Sequence, residues 1–352
     1  MKQYPLLSDR MFSGEELAGA FKKLRATPCF NESLRPISLL LAEKISTLSA
    51  PEFKIFLAEI APILRVKDNG GWGDMISREV GQLLSAIGDS NKALRFTRLL
   101  PKRDWDYTLD IADNMHIAGR TKDALAVVAV AAKRALALSD KDSRGEYISN
   151  LPRTNGLNRV MGTYFFLGMP EKVVELVRGL GNTPEDVHTS GELLCRTAGH
   201  YISKGQIREA LQVVKLLPSS FGPGRMTLLN AVSNYYFKKA MEANRAGNNA
   251  EHISNLKKSA IYQQKAVAEG KKFINNIPQT WKEHHLRHWL TEFNTSIFNL
   301  RHLEVYLKLA GCETESNIAG SALGSAFKFI ASLEDKAGVS VLGTIKDSPT
   351  FG

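Results

Sequence analysis

The side chains of this 352-residue chain best placed to do chemistry are basic. Lysine doublets stand at Lys238–Lys239, Lys257–Lys258 and Lys271–Lys272, with Arg245, Lys265, Lys282 and Arg287 among them. Gathered on one surface, such groups attract phosphates, acidic proteins or anionic lipid. The clustering is regional: residues 201–300 hold 14 Lys+Arg against 6 Asp+Glu, whereas residues 101–200 hold 13 of each. Most of the formal net charge of +10 therefore sits in one block. Tyr235, Tyr236, Phe237, Tyr262 and Phe273 interleave with it. Their apolar spacing makes most of them core candidates rather than platforms for stacked bases. The competing reading of the block is a solvated helical face.

Other reactive types are sparser. His284 and His288 lie four apart and share a helix face, as metal-binding pairs do, but no third ligand is evident. Trp281 and Trp289 flank the cluster, so a polar strip on a partly buried helix is the simpler picture. Its imidazoles, with His285, would add to the basic surface below about pH 6.5. Cys29, Cys195 and Cys312 are odd in number and widely spaced, which argues against a disulfide framework and a cysteine-rich zinc site. Cys195 follows Leu193-Leu194 and reads as a small buried hydrophobe. There is no G-x-x-x-x-G-K, G-x-S-x-G or H-E-x-x-H. Gly70-Gly71-Trp72-Gly73 lacks a following Lys-Ser/Thr and reads as an inter-helix loop. The small-residue run from Gly320 through Gly324 to Ala326 predicts close packing of a terminal helix. No catalytic residue, metal or cofactor is assigned.

The elements that must position these groups are helices. With 43% hydrophobic and 23% charged residues the composition is globular. Helical periodicity runs almost throughout, and strand-like alternation is nearly absent. Ser13-Gly14-Glu15-Glu16 and Ser49-Ala50-Pro51-Glu52 are capping boxes, in which the serine oxygen accepts from an early backbone N–H and the glutamate reaches back. Thr183 precedes Pro184, a first helical position where a missing N–H costs nothing. Gly88, Gly119, Gly168, Gly205, Gly247 and Gly311 mark helix ends. The spacing predicts helices at 14–26, 34–48, 50–65, 74–87, 90–100, 104–118, 121–138, 155–167, 170–180, 185–204, 207–217, 225–246, 250–276, 280–310 and 315–333. In the long helix 280–310, Trp289, Phe293, Ile297, Leu300, Val305 and Leu307 are the expected apolar stripe.

A repeat emerges when four of the glycines are aligned. Five residues after Gly88, Gly119, Gly168 and Gly205 stand Ala93, Ala124, Val173 and Ala210. Four residues before them stand Leu84, Met115, Tyr164 and Tyr201, and seven before stand Gly81, Ala112, Met161 and Ala198. Small residues let paired helices approach, the large one fills the gap, and glycine turns the chain. One hairpin cannot bury its apolar face alone, so hairpins stack. Over roughly residues 74–223 this pattern resembles the tetratricopeptide-repeat family. The glycine spacings are irregular, Val stands at 173 and the family's Trp is missing. The resemblance implies an α-solenoid whose first helices line a groove, among them those bearing Asn114, His116, Tyr164 and His200.

The expected fold is thus all-α: an N-terminal helical cap at 1–68, tetratricopeptide-like hairpins at 74–223, a basic bundle of longer helices at 225–335 and a tail at 336–352. The expected role is a non-enzymatic scaffold or adaptor, an effector or regulatory subunit, binding a protein or peptide partner. Two alternatives stay open: nucleic-acid (RNA) binding through the basic block 238–288, and a helical enzyme without a recognisable motif; an acidic partner or nucleic acid is possible beside the protein or peptide. No apolar run approaches the roughly 20 residues of a membrane span, and the start lacks an apolar signal core. A cytoplasmic protein is expected, with export by another route left open.

Overall fold

The structure is a computed structural model, and residues 30–64, 72–97, 107–141, 145, 151–218, 221–276 and 283–337 are described. Among them the chain is all-α, with fourteen helices and no strand. They are α1 (Phe30–Thr47), α2 (Ala50–Leu64), α3 (Trp72–Ala86), α4 (Ser90–Phe96), α5 (Tyr107–Ile117), α6 (Thr121–Leu136), α7 (Pro152–Phe166), α8 (Glu171–Arg178), α9 (Pro184–Ser203), α10 (Ile207–Leu216), α11 (Gly222–Arg245), α12 (Asn249–Asn275), α13 (Glu283–Leu309) and α14 (Glu313–Ala337). The helix expected at 14–26 and the loop glycines Gly70 and Gly71 lie outside the described residues. None of the described helices is long and apolar enough to cross a membrane.

The local signals act as the sequence demands. Ser49 N donates to Glu52 Oε2 at 2.7 Å, and Glu52 N donates to Ser49 Oγ at 3.5 Å. Thr183 Oγ1 accepts from Asp186 N at 3.2 Å. At the helix ends Gly88, Gly119, Gly168 and Gly205 take φ between 72° and 92°, where a Cβ would be strained. The residue after each glycine donates back to the large apolar residue of the repeat. Asp89 N reaches Leu84 O, Arg120 N reaches Met115 O, Met169 N reaches Tyr164 O and Gln206 N reaches Tyr201 O, all at 2.8–2.9 Å. The repeat is therefore a helix stop and a packing plug in one. Leu84, Met115, Tyr164 and Tyr201 are buried, as are Ala93, Ala124, Val173 and Ala210 after the turn. Gly81 lets α3 and α4 close up, because a Cβ there would meet Thr97 Cγ2 at 2.9 Å.

The chain divides into two compact units after Lys172, within α8. In the first, α3–α4 and α5–α6 are helical hairpins, α1 packs on α3 and α7 packs on α6. The start of α7 is capped from a distance: Asp140 Oδ1 accepts from Arg153 N at 2.7 Å, and Asp140 Oδ2 accepts from Thr154 Oγ1 at 2.5 Å.

In the second unit the hairpin α9–α10 precedes a bundle of four long helices, with α12 against α11, α13 and α14. Met226, Leu229, Val267, Phe293, Leu300, Leu323 and Ile330 share one core. On α13 the buried stripe is Phe293, Ile297, Leu300, Leu303 and Leu307. Val305, expected in it, is 44% exposed, because it stands two places from both Leu303 and Leu307 and so turns away from their face. On α14 the buried seam is Ala319, Leu323, Ala326 and Ile330. Gly324, expected at a close contact, is exposed with nothing near its Cβ position.

Candidate functional site

Adjacent residues of a helix point about 100° apart, so the two lysines of a doublet leave the helix in different directions. On α12 this separation sorts the doublets. Lys257 pairs with Glu315 of α14, Nζ to Oε1 at 2.6 Å, and the two groups pull each other's pKa apart, the lysine upward and the carboxyl downward. Lys271 donates to Ser325 Oγ at 2.8 Å and lies over the Phe329 ring, also on α14. Their neighbours Lys258 and Lys272 are exposed, as is Lys265. Lys258, Lys265 and Lys272 are spaced seven apart, about 10 Å per step along one face of the helix. Glu269 stands on the same face, and no carboxylate of the described residues pairs with the three lysines.

Beside this row lies an aromatic pair. Tyr236 of α11 and Tyr262 of α12 stack with centroids 5.7 Å apart and planes 6° apart. Lys258 Nζ sits 5.4 Å from the Tyr236 centroid and Lys265 Nζ 5.0 Å from that of Tyr262. Burial, then Tyr262 and Tyr235, push the Tyr236 phenol above its ordinary pKa and keep it neutral. Both rings pack partly into the core between α9, α10 and α11.

The remaining basic candidates are dispersed. Lys239 pairs with Glu242 at 2.7 Å on α11, while Lys238 and Arg245 are exposed there. Lys282 lies outside the described residues, as do the side chains of Arg287, His284, His285 and His288.

The first unit holds a different feature. A cavity of about 470 Å³ lies between α1, α3 and α5, lined in part by Leu39, Glu79, Gln82, Asp110, Asp113 and Asn114. Gln82 Nε2 donates to Asp110 Oδ2 at 2.9 Å, and the Arg159 guanidinium of α7 pairs with Asp110 Oδ1. Burial pushes the Asp113 carboxyl above its ordinary pKa, Arg159 opposes this, and the charge of Asp110 adds to it. Of this group only Asn114 stood out in the sequence. The usable signal was Asp110, Asp113 and Asn114 at i, i+3 and i+4, which puts all three on one side of α5.

The other groove candidates are occupied. His116 Nδ1 is hydrogen-bonded with Thr121 Oγ1 at 2.9 Å and its ring meets Phe166 edge-on. Tyr164 is buried. Burial and Lys204 push the His200 imidazole below its ordinary pKa. The Cys195 thiol is half-buried and pushed up to about 11, chiefly by burial, which leaves little thiolate at neutral pH.

No protein-family model and no curated protein matches the chain. Among solved structures it is similar to a circular tandem repeat protein with novel repeat topology and enhanced subunit contact surfaces, at 12% identity and a TM-score of 0.25, over 92% of this chain and 79% of that one.

Proposed function

We propose that this chain is a non-enzymatic interaction scaffold of tetratricopeptide-like hairpins that docks an acidic protein segment along the Lys258–Lys265–Lys272 face of α12. The observation that carries the reading is the sorting of the doublets. Lys257 and Lys271 are engaged with α14, whereas the three lysines spaced by seven face solvent without a carboxylate partner among the described residues. Acidic side chains recurring every two helical turns match that spacing.

RNA is the second reading of the same face. Binding of single strands usually rests on open aromatic faces as well as charge. Here Tyr236 and Tyr262 stack on each other beneath ammonium groups. That arrangement favours the acidic protein partner.

The test is anisotropy titration of the full chain with a labelled glutamate-rich helical peptide and with a labelled single-stranded RNA. The peptide is expected to bind more tightly than the RNA, and the K258E/K265E/K272E variant to bind it about tenfold more weakly. Lys257→Gln, which leaves the row intact, should bind as wild type does. Tighter binding of RNA, or a triple variant that binds the peptide as well as wild type, would overturn the assignment.

A further inference from the structure

Among the described residues, the outer face of α13 carries a second, partly apolar stripe that no neighbouring helix fills. Thr291, Thr295, Phe298, His302, Val305 and Leu309 follow one another at alternating steps of four and three, and all are exposed. Phe298 is 60% exposed, Val305 44% and Leu309 79%. The His302 ring lies against Phe298, with centroids 4.2 Å apart. Tyr306 borders the stripe and rests edge-on against Phe237. The stripe stands opposite the buried residues Phe293, Leu300 and Leu307, so α13 carries large apolar side chains on two opposed faces. A helix at a protein surface ordinarily has one apolar stripe and a polar back.

Spacing and charge together select what covers it. Alternation of four and three is the register in which one helix lies along another, and Phe298 to Leu309 offers about 17 Å of it. One flank carries Arg301 and Lys308, both exposed, and Arg301 is paired with Glu304 on its own helix. The other flank carries the uncharged Asn299 and Tyr306. A second copy lying antiparallel would match Phe298 to Leu309 and His302 to Val305, but it would bring the two Arg301–Lys308 flanks together, leaving the Lys308 ammonium of each copy against a flank whose carboxylate, Glu304, is already paired with Arg301. Like charges across a helix pair are unfavourable, whereas a helix with acidic flanks meets the same row with opposite charge.

We propose that the Phe298–His302–Val305–Leu309 seam docks an amphipathic helix of a partner protein, apolar along its seam and acidic along its flank. The seam is separate from the α12 lysine row, and the proposal stands or falls without it.

The experiment uses the full chain and a hydrocarbon-stapled peptide of three heptads, with leucine along the seam and glutamate on the flanks. Its counterpart carries lysine on the flanks. The glutamate peptide is expected to bind about tenfold more tightly than the lysine peptide. Phe298→Ala and Leu309→Ala should each weaken it about tenfold, with unchanged helical circular dichroism, because both side chains lie outside the core. K258E/K265E/K272E should leave the affinity in place, which separates this face from α12. Equal binding of the two peptides, no binding of either, or binding that survives both alanine variants would overturn the proposal. So would a dimer in sedimentation that Phe298→Ala abolishes, since that would assign the face to a second copy.

Discussion

Gln263 and Asn230, on neighbouring helices of the C-terminal bundle, are joined by a buried hydrogen bond, Nε2 to Oδ1 at 2.8 Å. Gln263 Nε2 also donates to the Ser296 carbonyl at 2.9 Å, and Asn230 Nδ2 donates to Ser296 Oγ at 2.7 Å, so three helices meet at one polar node. One register step away, Ser233 and Ser259 exchange hydroxyl-to-carbonyl bonds at 2.9 and 2.8 Å. A sliding helix would leave these groups buried and unpaired, a cost apolar side chains do not impose. Gln263→Leu is therefore expected to destabilise by about 1–3 kcal/mol by leaving the Asn230 Oδ1 acceptor unsatisfied. The double variant N230L/Q263L should cost less than the sum of the two single changes, because it removes both ends of the bond. Urea denaturation of the four proteins checks this, and additive costs would mean that the node is not coupled.

Two glycines of the second unit should respond in opposite ways to alanine. Gly205 has φ of +74° and a Cβ there would lie 3.0 Å from the Tyr235 hydroxyl. Gly324 lies within α14, with nothing near its Cβ position. Gly205→Ala is expected to lose about 1–2 kcal/mol, the cost of the left-handed conformation for a residue with a Cβ. Gly324→Ala should gain about 0.5–1 kcal/mol, because alanine surrenders less chain entropy on entering a helix. Thermal melts followed by circular dichroism would show the two shifts with opposite sign.

Stability of the first unit should carry a pH signature from Asp113. Its folded carboxyl is raised above the unfolded value, mainly by burial. The folded state therefore holds the proton more tightly than the unfolded chain does. The contribution is fully present below the unfolded carboxyl pKa and is lost as pH rises through the folded one. Asp113→Asn, which stays neutral, should melt above wild type at pH 7, and the gap should close as the pH is lowered through the carboxylate range. The groups facing Asp113 include Asp110, His116, Arg159 and Thr163, so the control is Asp110→Asn, which removes a charge that raises the Asp113 carboxyl. A gap independent of pH would show that packing, not the carboxyl proton, governs the site.

The helices themselves were legible because their signals are local. Ser49 and Glu52 are three residues apart, Thr183 caps its own first turn, and the glycine stops act on the carbonyls of the preceding turn. The repeat was legible for the same reason, since Leu84, Met115, Tyr164 and Tyr201 both plug the hairpins and accept the closing hydrogen bonds. Asp140 was not legible as a cap, because it acts thirteen and fourteen residues upstream of the N–H groups it satisfies. Val305 was misread because an apolar residue at roughly helical spacing can sit on either side of a helix. Only the neighbours of α13 decide which side is buried.

The basic block divides along the same line. The amino-acid sequence alone determined that the chain is all-α, where its hairpins turn and that positive charge concentrates after residue 200, since each depends on residue type and short-range spacing. Only the tertiary structure decided which charge is available. Lys257 meets Glu315 and Lys271 meets Ser325, 58 and 54 residues on, while Lys258, Lys265 and Lys272 are left in solvent. Placement in space turns one lysine of a doublet into a structural tie and its neighbour into a free charge, and no window of sequence contains both halves of that contact.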